Sequence, residues 1–184
     1  MATFFLRAVA ANLMLLGSLA AGATRTSVLL PGVQPDGSVQ LPNQWSLRPV
    51  GTQIKMGDLP SNLALHPDGR FVAVLHCGDG PHEVRILDLR RETVVSQVAV
   101  AQAFYGLAWS PDGKRLYVSG AANEVIHVFS FADGYLSEPR DLRVGPEADE
   151  GVPAGLVIPR DGCALYVAEC CGQRVVKFCV DGRI

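Results

Sequence analysis

The chain repeats itself. Laid over its own sequence at an offset of 44, Val50 to Leu75 matches Val94 to Ser119 without a gap. Both copies carry a Val-x-x-Gln stretch, a Leu-Ala stretch, Pro-Asp-Gly and a second apolar run. A third copy opens at Ala154, where Gly155, Leu156, Asp161, Gly162 and Leu165-Tyr166-Val167 match Gly106, Leu107, Asp112, Gly113 and Leu116-Tyr117-Val118 at an offset of 49. The extra residues fall in Asp141 to Gly151, an acidic loop containing Gly and Pro. A period of this length marks a supersecondary unit that buries its faces only by stacking on copies of itself.

Within each unit the pattern predicts a first strand (Asn62 to His66, Gly106 to Ser110, Gly155 to Pro159) running into a Pro-Asp-Gly or Arg-Asp-Gly turn. A second strand follows (Arg70 to His76, Arg115 to Gly120, Ala164 to Cys170), then a third (Glu83 to Leu89, Glu124 to Phe131, Arg174 to Val180), and a fourth in the first two units. Pro presets the turn backbone, Asp bonds its own main chain, and Gly takes the positive φ that other residues avoid. The strands are rich in Val, Leu, Ile, Phe and Tyr, as half-buried pleated positions favour. The expected fold is therefore all-β, a β-propeller with about three four-stranded blades in this chain, at about 61–100, 105–144 and 154–184, as propellers of ~4–8 such blades are built. A β-sandwich would supply regular strands but no reason for the self-match.

The segments Leu63-Ala-Leu-His-Pro-Asp-Gly-Arg-Phe-Val-Ala-Val, Leu107-Ala-Trp-Ser-Pro-Asp-Gly-Lys-Arg-Leu-Tyr-Val and Leu156 to Ala168 resemble the YVTN-repeat, or YncE-like, family of bacterial exported seven-bladed propellers. More narrowly, Leu41 to Gly51 with Phe104-Tyr-Gly-Leu and Phe131-Ala-Asp-Gly-Tyr-Leu is similar to a subgroup in which the propeller precedes an alkaline-phosphatase-like phosphoesterase domain. That resemblance implies a C-terminal enzyme domain outside this chain. Val50 to Met56 aligns with the fourth strand of the following unit, so it is expected to be an outer strand awaiting three partners from a last blade. Asp181-Gly-Arg-Ile184 stops where the third unit's fourth strand should start, so the expectation is a fragment.

The amino terminus differs in kind. Met1 to Arg7 carries one positive side chain, Ala8 to Ala20 is almost wholly apolar, and Ala21-Gly22-Ala23 has the small-x-small pattern of a signal-peptidase site. The expected organisation is a signal peptide at 1–23, a lead-in at 24–49 and a partial propeller at 50–184, in a periplasmic or secreted protein with no membrane segment after cleavage. The apolar stretch falls short of the roughly 20 residues a spanning helix needs. Sixteen Lys and Arg against 18 Asp and Glu argue against a polyanion-binding surface, so nucleic acid is not expected as a partner.

The expected ligand face is formed by the loops between second and third strands (76–82, 120–123, 170–173) and those leading into first strands (57–61, 101–105, 145–153). Asp58, His82, Tyr105, Asn123 and Gln173 are its positional candidates. His76-Cys77-Gly78-Asp79-Gly80-Pro81-His82 gathers two imidazoles, a thiol and a carboxylate, donors that suit zinc or copper. His76, Cys77, Asp79 and His82 are thus metal candidates, against the plainer reading of a polar turn. Adjacent Cys170 and Cys171 could form a strained vicinal disulfide, and the pairing of the five cysteines is not set by spacing. Glu147, Asp149 and Glu150 offer oxygen ligands without an EF-hand arrangement. His66 and His127 sit in strand patterns and read as structural. No Gly-x-Ser-x-Gly elbow, His-Glu-x-x-His helix, Walker loop or dinucleotide fingerprint occurs.

These features predict a non-catalytic binding or scaffolding module without a cofactor, holding a protein or small ligand at the blade-edge loops. The alternatives are the N-terminal part of a propeller/phosphoesterase and a lactonase-type propeller with metal ligands converging from several blades.

Overall fold

The computed structural model describes residues 29–145 and 150–180. The chain divides into two units, one ending at Gln53 and one starting at Ile54. The predicted signal peptide lies outside the described residues. The first unit holds β1 (Gly32–Val33), β2 (Val39–Gln40) and β3 (Ser46–Leu47), an antiparallel sheet in that order. Its first turn is tied by Asp36, whose Oδ1 accepts the Ser38 N–H at 3.0 Å while Oδ2 meets Arg48 at 3.0 Å. Strands of two residues are too short to leave a periodic signal, and none was expected here.

The second unit is three consecutive antiparallel meanders. The first blade comprises β4 (Pro60–Leu65), β5 (Phe71–His76), β6 (Glu83–Asp88) and β7 (Thr93–Ala99). The second comprises β8 (Leu107–Trp109), β9 (Arg115–Ser119), β10 (Val125–Ala132) and β11 (Tyr135–Arg143), and the third β12 (Pro153–Val157), β13 (Ala164–Glu169) and β14 (Arg174–Cys179). The all-β propeller expectation holds. Val50 to Met56, expected as an outer strand, is assigned to no strand; a strand exists only by its hydrogen-bonded neighbour, and no described strand pairs with this one.

The repeated turn is built three times from the same bonds. Gly69, Gly113 and Gly162 have φ of 71°, 71° and 68°. Their amides donate to His66, Ser110 and Pro159 oxygens, each at 2.9 Å. Asp68, Asp112 and Asp161 each accept the amide two residues on, at 2.8, 3.0 and 3.0 Å. The self-match thus reports a turn that needs Asp for the bond and Gly for the left-handed backbone.

Between the turns, alternate residues of each sheet face the next blade. Phe71, Ala73, Leu75, Val84 and Ile86 of the first blade form one buried cluster with Leu107, Trp109, Leu116, Val118 and Phe129 of the second. Tyr117, Ile126 and Val128, on the second blade's other face, pack with Leu165 and Val167 of the third, backed by Leu156, Val176 and Phe178. The first interface also carries a polar bridge. His66 Nε2 donates to the Gly113 carbonyl at 2.9 Å, and Trp109 Nε1 donates to the Ala64 carbonyl at 3.0 Å. The His66 ring lies 4.8 Å edge-on to Trp109 and 4.7 Å from Phe131.

By the offset of 44, Leu63 and Leu65 occupy the places of Leu107 and Trp109, yet they are 67% and 58% exposed. By the offset of 49, Val157 and Val175 lie on the third blade's counterpart of the second blade's covered face and are 58% and 67% exposed. Among the described residues no further blade covers these two faces.

Gly69 and Gly113 separate two costs. A Cβ at Gly69 meets nothing within 4 Å, whereas one at Gly113 runs into the His66 ring. Gly69→Ala is expected to lose about 1–2 kcal/mol from the left-handed backbone alone, and Gly113→Ala clearly more because the inter-blade bridge must also move. Urea unfolding of the two variants checks this; equal losses would contradict it.

Candidate functional site

Strand ends set the rim. Because β5, β9 and β13 run antiparallel to the strands that follow them, their C-terminal ends and the loops beyond gather on one edge of each blade, beside the segments leading into the next first strand. Asp58 lies there, exposed, and its Oδ2 accepts the Gly80 amide at 2.9 Å, closing segment 57–61 onto loop 77–82. Gly78 lets the two approach, since a Cβ there would collide with the Asp58 carboxylate. Tyr105 is exposed with φ of 54°, and its carbonyl accepts from Asn62 Nδ2 at 2.7 Å. Asn123 ends a short 3-10 turn (Ala121–Asn123), and Gln173, exposed with φ of 51°, lies in the β13–β14 turn.

The four metal candidates of loop 76–82 are not gathered into one cluster among the described residues. His76 is fully buried at the end of β5, and its Nε2 accepts the Gly57 amide at 3.2 Å. His82 instead turns toward the second blade, where its Nδ1 accepts the Ala103 amide at 2.8 Å. Cys77 is half-buried and Asp79 exposed. Among the described residues, no group of three or more His, Cys, Asp and Glu side chains is arranged to hold a metal ion. Each imidazole is spent on an amide of a different segment, so closeness in sequence did not become convergence in space. Of the acidic cluster, Glu147 and Asp149 lie outside the described residues.

What the rim holds instead is a buried carboxylate in every blade. Glu83 at the start of β6 pairs with Arg85 at 2.7 Å and also accepts from Gln97. Glu124, immediately before β10, reaches the segment leading into the third blade, its Oε1 accepting the Val152 amide at 2.8 Å. Glu169 ends β13, pairs with Arg174 and lies against Gly151 and Gly172, where a Cβ would stand 2.6 Å from its carboxylate. Glu124 Oε2 and Glu169 Oε1 are buried without a partner. These residues were not foreseen; the available signal was a lone charge at the end of an otherwise apolar strand. His127 is structural as expected, its Nδ1 on Asp141 Oδ1 at 2.7 Å and Nε2 on the Gln102 carbonyl at 3.0 Å.

Stacked antiparallel meanders with their loops along one rim define a β-propeller protein. Residues 45–184 match the SMP-30/gluconolactonase/LRE-like region, and the chain belongs to that family. An uncharacterized protein of Sulfolobus acidocaldarius is 33% identical over 99 residues, which cover 53% of this chain and 34% of that protein. Hydrazine synthase of Kuenenia stuttgartiensis is 27% identical with a TM-score of 0.56, covering 74% of this chain and 37% of that one. The periplasmic gluconolactonase of Pseudomonas aeruginosa shares the fold at 22% identity and a TM-score of 0.53, covering 65% and 39%. The chain spans roughly a third to two fifths of the length of these proteins.

Burial holds the His76 imidazole below its ordinary value of 6.5. A histidine whose folded value is lowered gives stability that is present above its unfolded value and is lost as pH falls through the folded one. The His76 resonance is therefore expected to titrate below 6.5 by NMR, and His76→Gln to flatten the fall in stability on acidification. A titration midpoint at or above 6.5 would contradict this.

Proposed function

We propose that this chain is part of an exported propeller module of the YVTN-repeat type that binds a protein or small ligand at its rim and performs no chemistry of its own. The observation that carries this reading is how the rim spends its reactive groups. His76 and His82 accept amides from neighbouring segments, Glu83 is paired with Arg85 and Gln97, and Glu124 takes the Val152 amide. Such bonds fix loop shape, which recognition needs, and they occupy His76 Nε2 and His82 Nδ1, nitrogens that general-base catalysis would need free. The apolar stretch before Ala23 supports export, and the likeness of Leu41 to Gly51 to propeller/phosphoesterase proteins supports a catalytic domain beyond residue 184 in the full-length protein.

A second reading, a lactonase-type enzyme, draws its support from the family and from the two buried carboxylate oxygens of Glu124 and Glu169 that lack partners. The two readings separate in one assay. The full-length protein, offered an aldonolactone with and without added divalent cations, is expected to hydrolyse it no faster than buffer. Metal-dependent turnover that falls at least tenfold in Glu169→Gln would contradict the binding-module reading and establish the second.

A further inference from the structure

The turn after β13 places two sulfurs side by side. Successive residues of a strand point to opposite faces, so adjacent cysteines within β13 would be held apart. The strand ends at Glu169, however, and Cys170 and Cys171 fall in the turn that follows, both exposed, with Sγ atoms 4.0 Å apart. The turn is anchored on the segment leading into β12. The Cys170 amide donates to the Val152 carbonyl at 3.1 Å, and the Cys171 and Gly172 amides both donate to the Gly151 carbonyl at 3.0 Å. Beneath it lie the buried Glu169 carboxylate and Gly172, whose missing side chain lets the turn close down. Three consecutive amides thus hold the backbone that carries the two thiols.

With metal–sulfur bonds of about 2.3 Å, one bridging atom can span sulfurs up to about 4.6 Å apart, so a separation of 4.0 Å is within reach. No third protein donor joins them among the described residues, so an ion demanding four protein ligands, such as structural zinc, is poorly served. Thiolates favour soft ions. From this geometry we infer that Cys170 and Cys171 form a vicinal dithiol site for one soft, thiophilic centre that needs only two protein ligands, of the class of trivalent arsenic. The neighbouring Cys170 thiol pushes the Cys171 thiol up.

Phenylarsine oxide is the probe. Its reaction exchanges two S–H bonds for two As–S bonds, the oxide leaves as water with both protons, and no atom changes oxidation state. The full chain, reduced with a phosphine and freed of it, has five titratable thiols. It is expected to take up one phenylarsenic group by intact mass and to lose two thiols in doing so. Cys170→Ser and Cys171→Ser should each lose on the order of 100-fold in affinity, since capture by the second thiol is intramolecular. Both positions are exposed, and unchanged melting temperatures will show that the fold is intact. Cys77→Ser, Cys163→Ser and Cys179→Ser should bind as the parent does. Retained tight binding in either turn variant, loss of it in any of the other three, or five free thiols with no adduct would overturn the proposal.

Discussion

A four-stranded sheet has two faces and cannot bury either alone; everything else here depends on blades covering one another. The first interface shows how this is done. Ala73, Leu75, Val84 and Ile86 present a smooth apolar face, and Leu107, Trp109, Leu116 and Val118 enter it from the next blade. Burial of this kind supplies most of the favourable free energy of folding. It carries no direction, however, and would allow the sheets to slide. Direction comes from His66 on the Gly113 carbonyl and Trp109 on the Ala64 carbonyl, two hydrogen bonds across the interface that fix the register of one blade against the next.

The rim inherits its shape from that register. Once the strands are placed, the loop after each second strand stands beside the segment leading into a first strand, and small residues decide how closely they meet. Gly78 admits the Asp58 carboxylate, and Gly151 and Gly172 admit Glu169. The polar groups that look most reactive in the sequence are drawn into these closures. Glu124 illustrates the coupling: it belongs to the second blade but holds Val152, in the segment leading into the third. The vicinal thiols stand out because they take no part in such a closure; their backbone is held and their sulfurs are exposed.

Much of the fold could be read from the chain because its strongest signal is local. Asp, Gly and the residue before them specify the same turn three times, and alternation on either side specifies the strands. The observed strands begin and end within a few residues of the expected ones, as at Phe71–His76 and Glu83–Asp88. The candidate site was less legible. His76 and His82 are close in sequence, and their composition suggests a metal loop, but burial at a strand end takes one imidazole inward and a turn sends the other to Ala103. Glu124 and Glu169 were passed over because a single acidic residue in a strand pattern gives no hint that its partner is an amide or an arginine beside the neighbouring loop. Val50 to Met56 is a separate case: its pattern is that of a strand, but strand identity resides in a partner, and no described strand pairs with it.

The central claim is that the first two blades are one cooperative body because their shared core and polar bridge are formed together. Native-state hydrogen exchange of the full chain at increasing urea tests it most directly. The account predicts that the amides of Ala73 and Leu75 in the first blade and of Leu116 and Val118 in the second converge on a single opening free energy with the same urea dependence. Exchange of the first blade at a lower opening free energy, while the second stays protected, would show blades that fold separately and would contradict it.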